Sequence, residues 1–342
     1  MRILVTGGAG FIGSNFVRWL LGSAASREVK RVVVLDALTY AGNLANLAGL
    51  DTDVRFLFVR GDIRDLSAVE TLLRDEHLEL LINFAAETHV DRSIVNPFEF
   101  VRTNVEGTQV LLECARKQSA AKFIQISTDE VYGSLGPSGR FTESSPIQPS
   151  SAYSASKAAA DFLSLAAFKT HGFPVCVTRC SNNYGPFQFP EKFIPLFITN
   201  GLAGEPLPLY GDGKNIRSWL HVDDHSRAIF AVAKSGRPGE TYNIGGAPES
   251  EKENFDVACA ILRQLGKPES LIRRVEDRKG HDRRYAVDFS KIEAELGWRP
   301  AVAFEQGLLQ TVHWYKENAS WWQAVKTGEY QKFYELYYGG RL

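Results

Sequence analysis

The segment Thr6-Gly7-Gly8-Ala9-Gly10-Phe11-Ile12-Gly13 constrains this chain more than any other. It follows the short apolar run Arg2–Thr6 and opens the stretch Ser14–Leu21, so it reads as a turn joining a strand to a helix. Glycines at 7, 10 and 13 let the backbone turn tightly and approach a diphosphate, which then rests on the positive end of the helix. A second apolar run, Arg31–Asp36, ends in a carboxylate. In that place Asp36 accepts both hydroxyls of an adenosine ribose and repels a 2′-phosphate, which favours NAD over NADP. The expected cofactor contacts at this end are Gly7, Gly10, Phe11, Ile12, Gly13, Asp36, Leu38 and Thr39.

Short apolar runs alternate with amphipathic stretches through the first half, the pattern of a parallel sheet covered by helices on both faces. Strands are expected at Arg2–Thr6, Arg31–Asp36, Arg55–Arg60, Leu80–Phe84, Lys122–Ser127 and Val175–Arg179, with helices at Ser14–Leu21, Ser67–Asp75 and Val105–Lys117. After residue 180 the chain becomes richer in Pro, Gly and aromatic residues. A helix is expected at Asp223–Ala233, a strand at Glu240–Ile244 and another helix at Phe255–Leu265. The predicted fold is α/β: a Rossmann-type doubly wound parallel sheet with a smaller interleaved C-terminal substrate-binding lobe. Residues 1–180 form the NAD-binding domain, residues 181–342 mainly the second lobe, and segments near 215–245 return to the sheet. The aromatic tail from Trp321 to Tyr338 is expected to be packed or interfacial.

With 342 residues, 44% of them apolar, the chain has material for a large core. A formal charge of −1 offers no global field for nucleic acid or an anionic membrane. The start, Met1-Arg2-Ile3-Leu4-Val5, lacks the pattern of a signal peptide, and Phe11–Leu21 is too short to span a bilayer. Cys114, Cys176, Cys180 and Cys259 show neither CxxC pairs nor metal-ligand spacing, so no metal is expected. A cytoplasmic protein with buried thiols is the expectation.

Tyr153-Ser154-Ala155-Ser156-Lys157 places a phenol and an ammonium one helical turn apart, on one face. A phenol of pKa about 10 is a poor base at neutral pH, and a neighbouring ammonium favours its ionised form. Tyr153 is therefore expected to be partly phenolate near neutrality. Upstream, Ser127-Thr128 ends a strand and offers a hydroxyl to a reacting sugar oxygen, and Asp129-Glu130 follows directly. Two adjacent carboxyls in different environments can divide acid and base roles. Alone, the same pair would suit a solvated acidic turn.

Together these residues resemble the Ser/Thr–Tyr–Lys triad of the extended short-chain dehydrogenase/reductases. Asp129-Glu130 resembles the nucleoside-diphosphate-hexose 4,6-dehydratases among them, and the chain is most similar to the dTDP-glucose 4,6-dehydratase family. The resemblance implies a hydro-lyase that binds NAD and a nucleoside-diphosphate sugar. Thr128, Asp129, Glu130, Tyr153 and Lys157 are its implied catalytic residues: Tyr153 takes the C4 hydroxyl proton during oxidation, Glu130 the C5 proton, and Asp129 protonates the departing C6 hydroxyl before C6 is reduced. Asp62, Ile63, Phe84, Ala85, Ala86, Thr103 and Asn183 are further implied cofactor contacts, alongside Tyr153 and Lys157. Thr88, Thr128, Asn182, Lys192, Phe193, Pro208, Tyr210, Arg217, Asn254, Arg278 and His281 are implied for the substrate. The basic run Asp277–Tyr285 reads as a diphosphate element rather than a nucleic-acid patch. Ser218 and Lys279 depart from the family's usual Asp and Pro. A homodimer is implied through helices at Val105–Lys117 and Ser154–Phe168, where Val110, Leu111, Leu163 and Ala167 lie near helical spacing as an apolar stripe that equally suits the core of a monomer. A sibling 4-epimerase or C5 decarboxylase is the alternative, and Asp129 speaks against both. A silent NAD-binding regulator is another, and the intact catalytic groups speak against that.

The Asp36 reading makes a direct prediction. Protein stripped of cofactor should regain activity with NAD far better than with NADP, measured as rescued turnover. Equal rescue would show that Asp36 does not face the ribose.

Overall fold

The computed structural model describes residues 1–277 and 281–326. In chain order the strands are β1 (Arg2–Thr6), β2 (Arg31–Asp36), β3 (Phe56–Arg60), β4 (Leu80–Asn83), β5 (Lys122–Thr128), β6 (Val175–Cys180), β7 (Asn182–Tyr184), β8 (Leu207–Tyr210), β9 (Ile216–His221), β10 (Thr241–Ile244), β11 (Glu251–Glu253) and β12 (Ile272–Val275). The α-helices are α1 (Phe11–Gly22), α2 (Leu66–Asp75), α3 (Val90–Val95), α4 (Pro97–Phe100), α5 (Thr108–Lys117), α6 (Ala152–His171), α7 (Phe193–Ala203), α8 (Val222–Ser235), α9 (Asn254–Leu265), α10 (Ser290–Leu296), α11 (Phe304–Glu317) and α12 (Ala319–Val325).

Seven strands pair in the order β10-β6-β5-β4-β1-β2-β3, all parallel. Alternation along β1 explains the two-faced cover: Ile3 and Val5 point to one side, Leu4 to the other. On the first side lie Phe16, Val17 and Leu20 of α1, Ile229 and Val232 of α8, and Ile292 of α10. On the other lie Val69 and Leu73 of α2 and Leu111 and Leu112 of α5. The chain runs outward from β1 through β2 to β3, then returns to add β4 on the opposite flank. The carboxyl ends of β1 and β4 therefore open a crevice at the point where strand order reverses, the place where ligands bind in such sheets. Thr6, Asn83 and Gln125 cross three strands there. The Thr6 hydroxyl donates to Asn83 Oδ1 at 2.7 Å, and Asn83 Nδ2 donates to Gln125 Oε1 at 2.9 Å.

A second core gathers α7, α9 and α11 around β8 and β9, with Phe197, Leu209, Ile261, Leu308 and Tyr315 buried. Residues 222–244 leave this lobe: α8 packs on the sheet, and β10 extends its edge beside β6.

Most expected elements are present with ends shifted by one to three residues. Two differences matter more. The helix expected at Val105–Lys117 is an α-helix only from Thr108, preceded by a π-helical turn at Val101–Gly107. Inside that turn Asn104 is pulled toward the cleft wall: its side chain accepts from Glu87 N and donates to Glu87 O and the Ser156 hydroxyl. A single widened turn of this kind commonly marks a functional site. The second concerns the expected dimer stripe: Leu111 is fully buried, while Val110, Leu163 and Ala167 are half-buried and pack against the same core. Exposed apolar side chains include a group on adjoining elements, Ile94, Val95, Phe98, Val101 and Phe162, with Phe98 73% exposed; Leu44, Val54, Leu66 and Leu309 are exposed elsewhere.

Candidate active site

The glycine turn shows why side chains are excluded from it. Gly7 has φ +67°, and a Cβ there would lie 2.6 Å from Ala85 N. A Cβ on Gly13 would lie 2.4 Å from Gly7 O, so the first turn of α1 closes directly onto the loop. Gly10 caps α1 with no side-chain hydrogen bond, and the first turn carries no acidic residue. Its N–H groups and dipole are thus available to a diphosphate. Asp36 sits beneath, with Oδ2 accepting from Ala9 N at 2.9 Å and Oδ1 from Leu38 N at 2.8 Å. Burial raises its pKa, while these two bonds oppose the shift. Each oxygen keeps a lone pair that a ribose hydroxyl can use.

The cleft above the turn is lined by Gly7, Gly10, Phe11, Ile12, Gly13, Asp36, Thr39, Asp62, Ile63, Phe84, Ala85, Ala86 and Thr103, then by Thr88, Thr128, Asp129, Glu130, Tyr153, Lys157, Asn182, Asn183 and Lys192. Leu38 lies outside this lining: it takes the left-handed conformation, φ 54°, so that its N–H can reach Asp36. Asp62 is held by Arg64 at 2.7 Å, which keeps its carboxyl below the ordinary range.

Helix α6 brings the phenol and ammonium together. Ser151 caps it through a capping box with Ser154, and Ser156, Ala158 and Ala160 let it press close to the sheet. Lys157 Nζ donates to Ile126 O at 2.7 Å, and burial lowers its pKa to about 8. Tyr153 does not follow the expectation of a partial phenolate. Burial pushes it well above its ordinary value, the Glu130 charge adds to that, and the Thr128 hydroxyl opposes. Desolvation and the neighbouring negative charges act in the same direction, so the phenol stays neutral in the protein alone.

Asp129 is the most perturbed carboxyl of the cleft. It is 2% exposed, and its pKa is raised to about 8 by burial first and the neighbouring Glu130 charge second, with Arg217 opposing. Its Oδ2 has no hydrogen-bond partner, and neither does Asn182 Oδ1 on the facing strand. Buried polar atoms left unpaired in a cleft are positioned for a ligand. The glycine turn, uncapped helix and Asp36 fit a dinucleotide, and the unpaired atoms beyond them fit a polar second ligand.

Asn183 lines the cleft, but its side chain is committed inward. Nδ2 donates to Ser181 O at 2.9 Å, and Oδ1 lies 2.9 Å from Nδ1 of His225. Burial holds His225 neutral, its pKa lowered to about 3. Nothing in the sequence around His225 marked it as a partner.

The nucleotide-wall residues form a separate group beyond the cleft. Phe193 packs, partly buried, against the second-lobe core, its ring tilted against that of Phe197 with centroids 4.2 Å apart. Pro208 and Tyr210 lie on β8, and Tyr210 meets the His281 ring edge-on at 5.9 Å. Arg217 is buried over the Tyr285 ring at 4.4 Å and donates to Asp282 O. Asn254 Oδ1 is buried without a partner at the start of α9. Ser218 is buried in β9 opposite Glu251. Arg278 and Lys279 lie outside the described residues, as does the tail beyond residue 326. Arg64, Glu99 and Gln188 line the cleft without having been singled out; each stands in a stretch with no motif of its own.

Residues 4–311 match the family model described as GDP-mannose 4,6 dehydratase. A dTDP-glucose 4,6-dehydratase of Xanthomonas campestris is 54% identical, covering 96% of this chain and 97% of its own. Two solved structures are similar over nearly the whole chain. DesIV, a dTDP-glucose 4,6-dehydratase of Streptomyces venezuelae crystallised with NAD bound, superposes with TM-score 0.92 at 54% identity, covering 95% of this chain and all of that one. The dTDP-glucose 4,6-dehydratase of Bacillus anthracis, in complex with NAD, gives 0.88 at 50% identity with the same coverage. Among the described residues no helix is long and apolar enough to cross a membrane, and no cluster of His, Cys, Asp and Glu is set to hold a metal.

The raised pKa of Asp129 predicts a carboxyl that is protonated at pH 7 and ionises as pH rises through about 8. Infrared difference spectra of the wild type against Asp129→Asn should show a protonated-carboxyl band at pH 7 that fades by pH 9. A carboxyl already ionised at pH 6 would refute this.

Proposed function

The chain belongs to the dTDP-glucose 4,6-dehydratase family, and on that premise we propose that its cleft converts dTDP-glucose into dTDP-4-keto-6-deoxyglucose with loss of water. The observation that carries this reading is Asp129, a buried carboxyl protonated at neutral pH beside a second carboxyl and a Tyr–Lys pair. Oxidation at C4 alone needs only the Tyr153–Lys157 side of the site. Elimination across C5 and C6 needs an acid for the leaving hydroxyl as well as a base.

Gly7, Gly10, Gly13 and the start of α1 hold the cofactor diphosphate, and Asp36 holds its adenosine ribose. When bound, NAD supplies the hydride acceptor for C4, the hydride donor for C6 and a positive charge that favours the Tyr153 phenolate. Tyr153 then receives the C4 hydroxyl proton, with Thr128 hydrogen-bonded beside it to orient the oxygen. Lys157, anchored on Ile126 O, keeps a cation behind the phenol. A C4 ketone acidifies the C5 proton, which Glu130 removes. Asp129 gives its proton to the C6 hydroxyl, and water departs. Asn182 positions the hexose through its unpaired carbonyl oxygen. Lys192, Pro208, Tyr210, Arg217, Asn254 and His281 hold the nucleoside diphosphate farther out, where guanidinium and imidazole donors suit phosphate oxygens. A 4-epimerase has no leaving group to protonate, so a buried neutral carboxyl would have no task there.

The protein acts as a homodimer through the exposed apolar face of residues 94–101 and Phe162, which adjoin one another on α3, α4, the π-turn and α6. Such a face is out of place in water and suits a two-fold contact. Buried, unbridged thiols support a reducing, cytoplasmic setting.

Incubation with dTDP-glucose should yield a product lighter by one water in mass spectrometry, whereas epimerisation would leave the mass unchanged. Glu130→Gln should suppress exchange of the C5 proton with solvent deuterium while sparing some C4 oxidation, and a variant that dehydrates at the wild-type rate would remove Glu130 from its role. For assembly, Phe98→Asp should shift the molecule toward a monomer in sedimentation at micromolar concentration. A monomeric wild type would overturn the dimer.

A further inference from the structure

Behind the cleft lies a buried ion pair that the chemistry above does not use. Asp161 stands on α6 one turn beyond Lys157 and is fully buried. Arg179 on β6 donates from Nε to Asp161 Oδ2 at 2.9 Å, with the two side chains 4% and 0% exposed. Arg179 Nη1 also donates to the Tyr132 hydroxyl at 2.9 Å, and that hydroxyl donates to Asn243 Oδ1 on β10 at 2.8 Å. Tyr132 closes the 3₁₀ turn Asp129–Tyr132, which carries both catalytic carboxyls. Its ring is stacked on Phe141 at 5.0 Å, and the following Gly133 has φ +84° with no room for a Cβ against Gln148 O.

One guanidinium thus touches the helix that presents Tyr153 and Lys157 and the turn that presents Asp129 and Glu130. Burying two charges is a poor way to stabilise a core, since apolar side chains of like volume do as well or better. What an ion pair adds is direction: a planar guanidinium fixes its partners in angle as well as distance.

We propose that Asp161 and Arg179 are a positioning pair that registers the oxidising half of the site against the eliminating half. The proposal rests on the dehydratase reading, because only that reaction asks both halves to act on one sugar that stays in place. Asp161 acts through Lys157, whose cation it faces along α6. Tyr132 carries the effect of Arg179 to the carboxyl turn. The groups that act on Lys157 are Asp161 on its own helix and Cys180 at the end of β6. Asp161 is faced in turn by Arg179 on β6 and the Ser127 hydroxyl on β5.

The test uses NAD-loaded protein and dTDP-glucose, following C4 oxidation as transient NADH absorbance and water loss by quenched mass spectrometry. Asp161→Asn keeps the side-chain volume and removes the charge beside Lys157. The alkaline limb of C4 oxidation should then move down by about 1–3 pH units, the range over which an opposite charge at close range shifts a titrating group. Tyr132→Phe keeps the ring and cuts only the link from Arg179 to the carboxyl turn. It should leave the pH profile of C4 oxidation in place while slowing water loss at least tenfold, so that NADH persists longer. If Asp161→Asn fails to fold, Tyr132→Phe still decides, because a decay of NADH as fast as in the wild type overturns the registering role. An unshifted oxidation profile in folded Asp161→Asn overturns the action on Lys157. Should the wild type itself form no NADH with dTDP-glucose, the dehydratase reading fails instead, and the two failures are distinct.

Discussion

Desolvation at the junction of β5 and α6 governs this site. Asp129, Tyr153, Lys157 and Asp161 are all buried there, and burial is the first cause of every one of their shifts. Excluding water moves carboxyls and the phenol toward their neutral forms and the ammonium toward its own. It also makes the remaining charges interact strongly, since little solvent screens them. The protein alone therefore holds the Asp129 carboxyl protonated and the Tyr153 phenol neutral at pH 7.

That junction opens onto a cleft shared by both lobes. Thr128, Tyr153 and Lys157 from β5 and α6 line it together with Asn182, Asn183 and Lys192, which lead into α7 of the second lobe. β7 follows β6 after a single residue and pairs with β9, so the strand carrying Asn182 and Asn183 leaves the sheet as it passes over the cleft. Arg217 on β9 arrives by the same route and tempers the shift of Asp129. The polar wall beyond the cleft and the acid inside it are thus consequences of one strand crossing from one core to the other.

How much of this was legible in the sequence follows from how local each feature is. The glycine turn, Asp36 and the Tyr153–Lys157 spacing need only a strand, a helix and a few residues of contact, and all line one cleft. The Asp129–Glu130 pair was visible as a motif, but which carboxyl is loaded depends on burial from distant elements. The π-turn was hidden because it is produced by Asn104 bonding to Glu87, 17 residues away, rather than by any pattern within the turn. Helical spacing at Val110, Leu111, Leu163 and Ala167 marks an apolar face without saying what covers it: the core takes Leu111 wholly and the other three only in part. Asn183 shows the same limit, since its partner His225 comes from α8.

A cycle that returns its hydride has a further requirement: the cofactor must not leave between the two transfers. The structure ties the cofactor loop to the far end of the described chain. Ala9 O, within the glycine turn, accepts from Asn46 Nδ2 at 2.8 Å, and Asn46 Oδ1 accepts from the Trp321 indole on α12 at 2.9 Å. Trp321 packs in turn on Trp314 and on Phe187, which is held at φ +64° with Arg18 over its ring at 4.9 Å. An aromatic residue in the left-handed region is unfavourable by itself and persists only where its surroundings dictate it. Here the dictating groups are two tryptophans from the second lobe and an arginine from α1, and the next residue, Gln188, lines the cleft with its carbonyl accepting from Tyr315. Opening the cofactor loop would break contacts in both lobes at once, which fits the glycine turn to keep its ligand through a cycle with no net change in oxidation state.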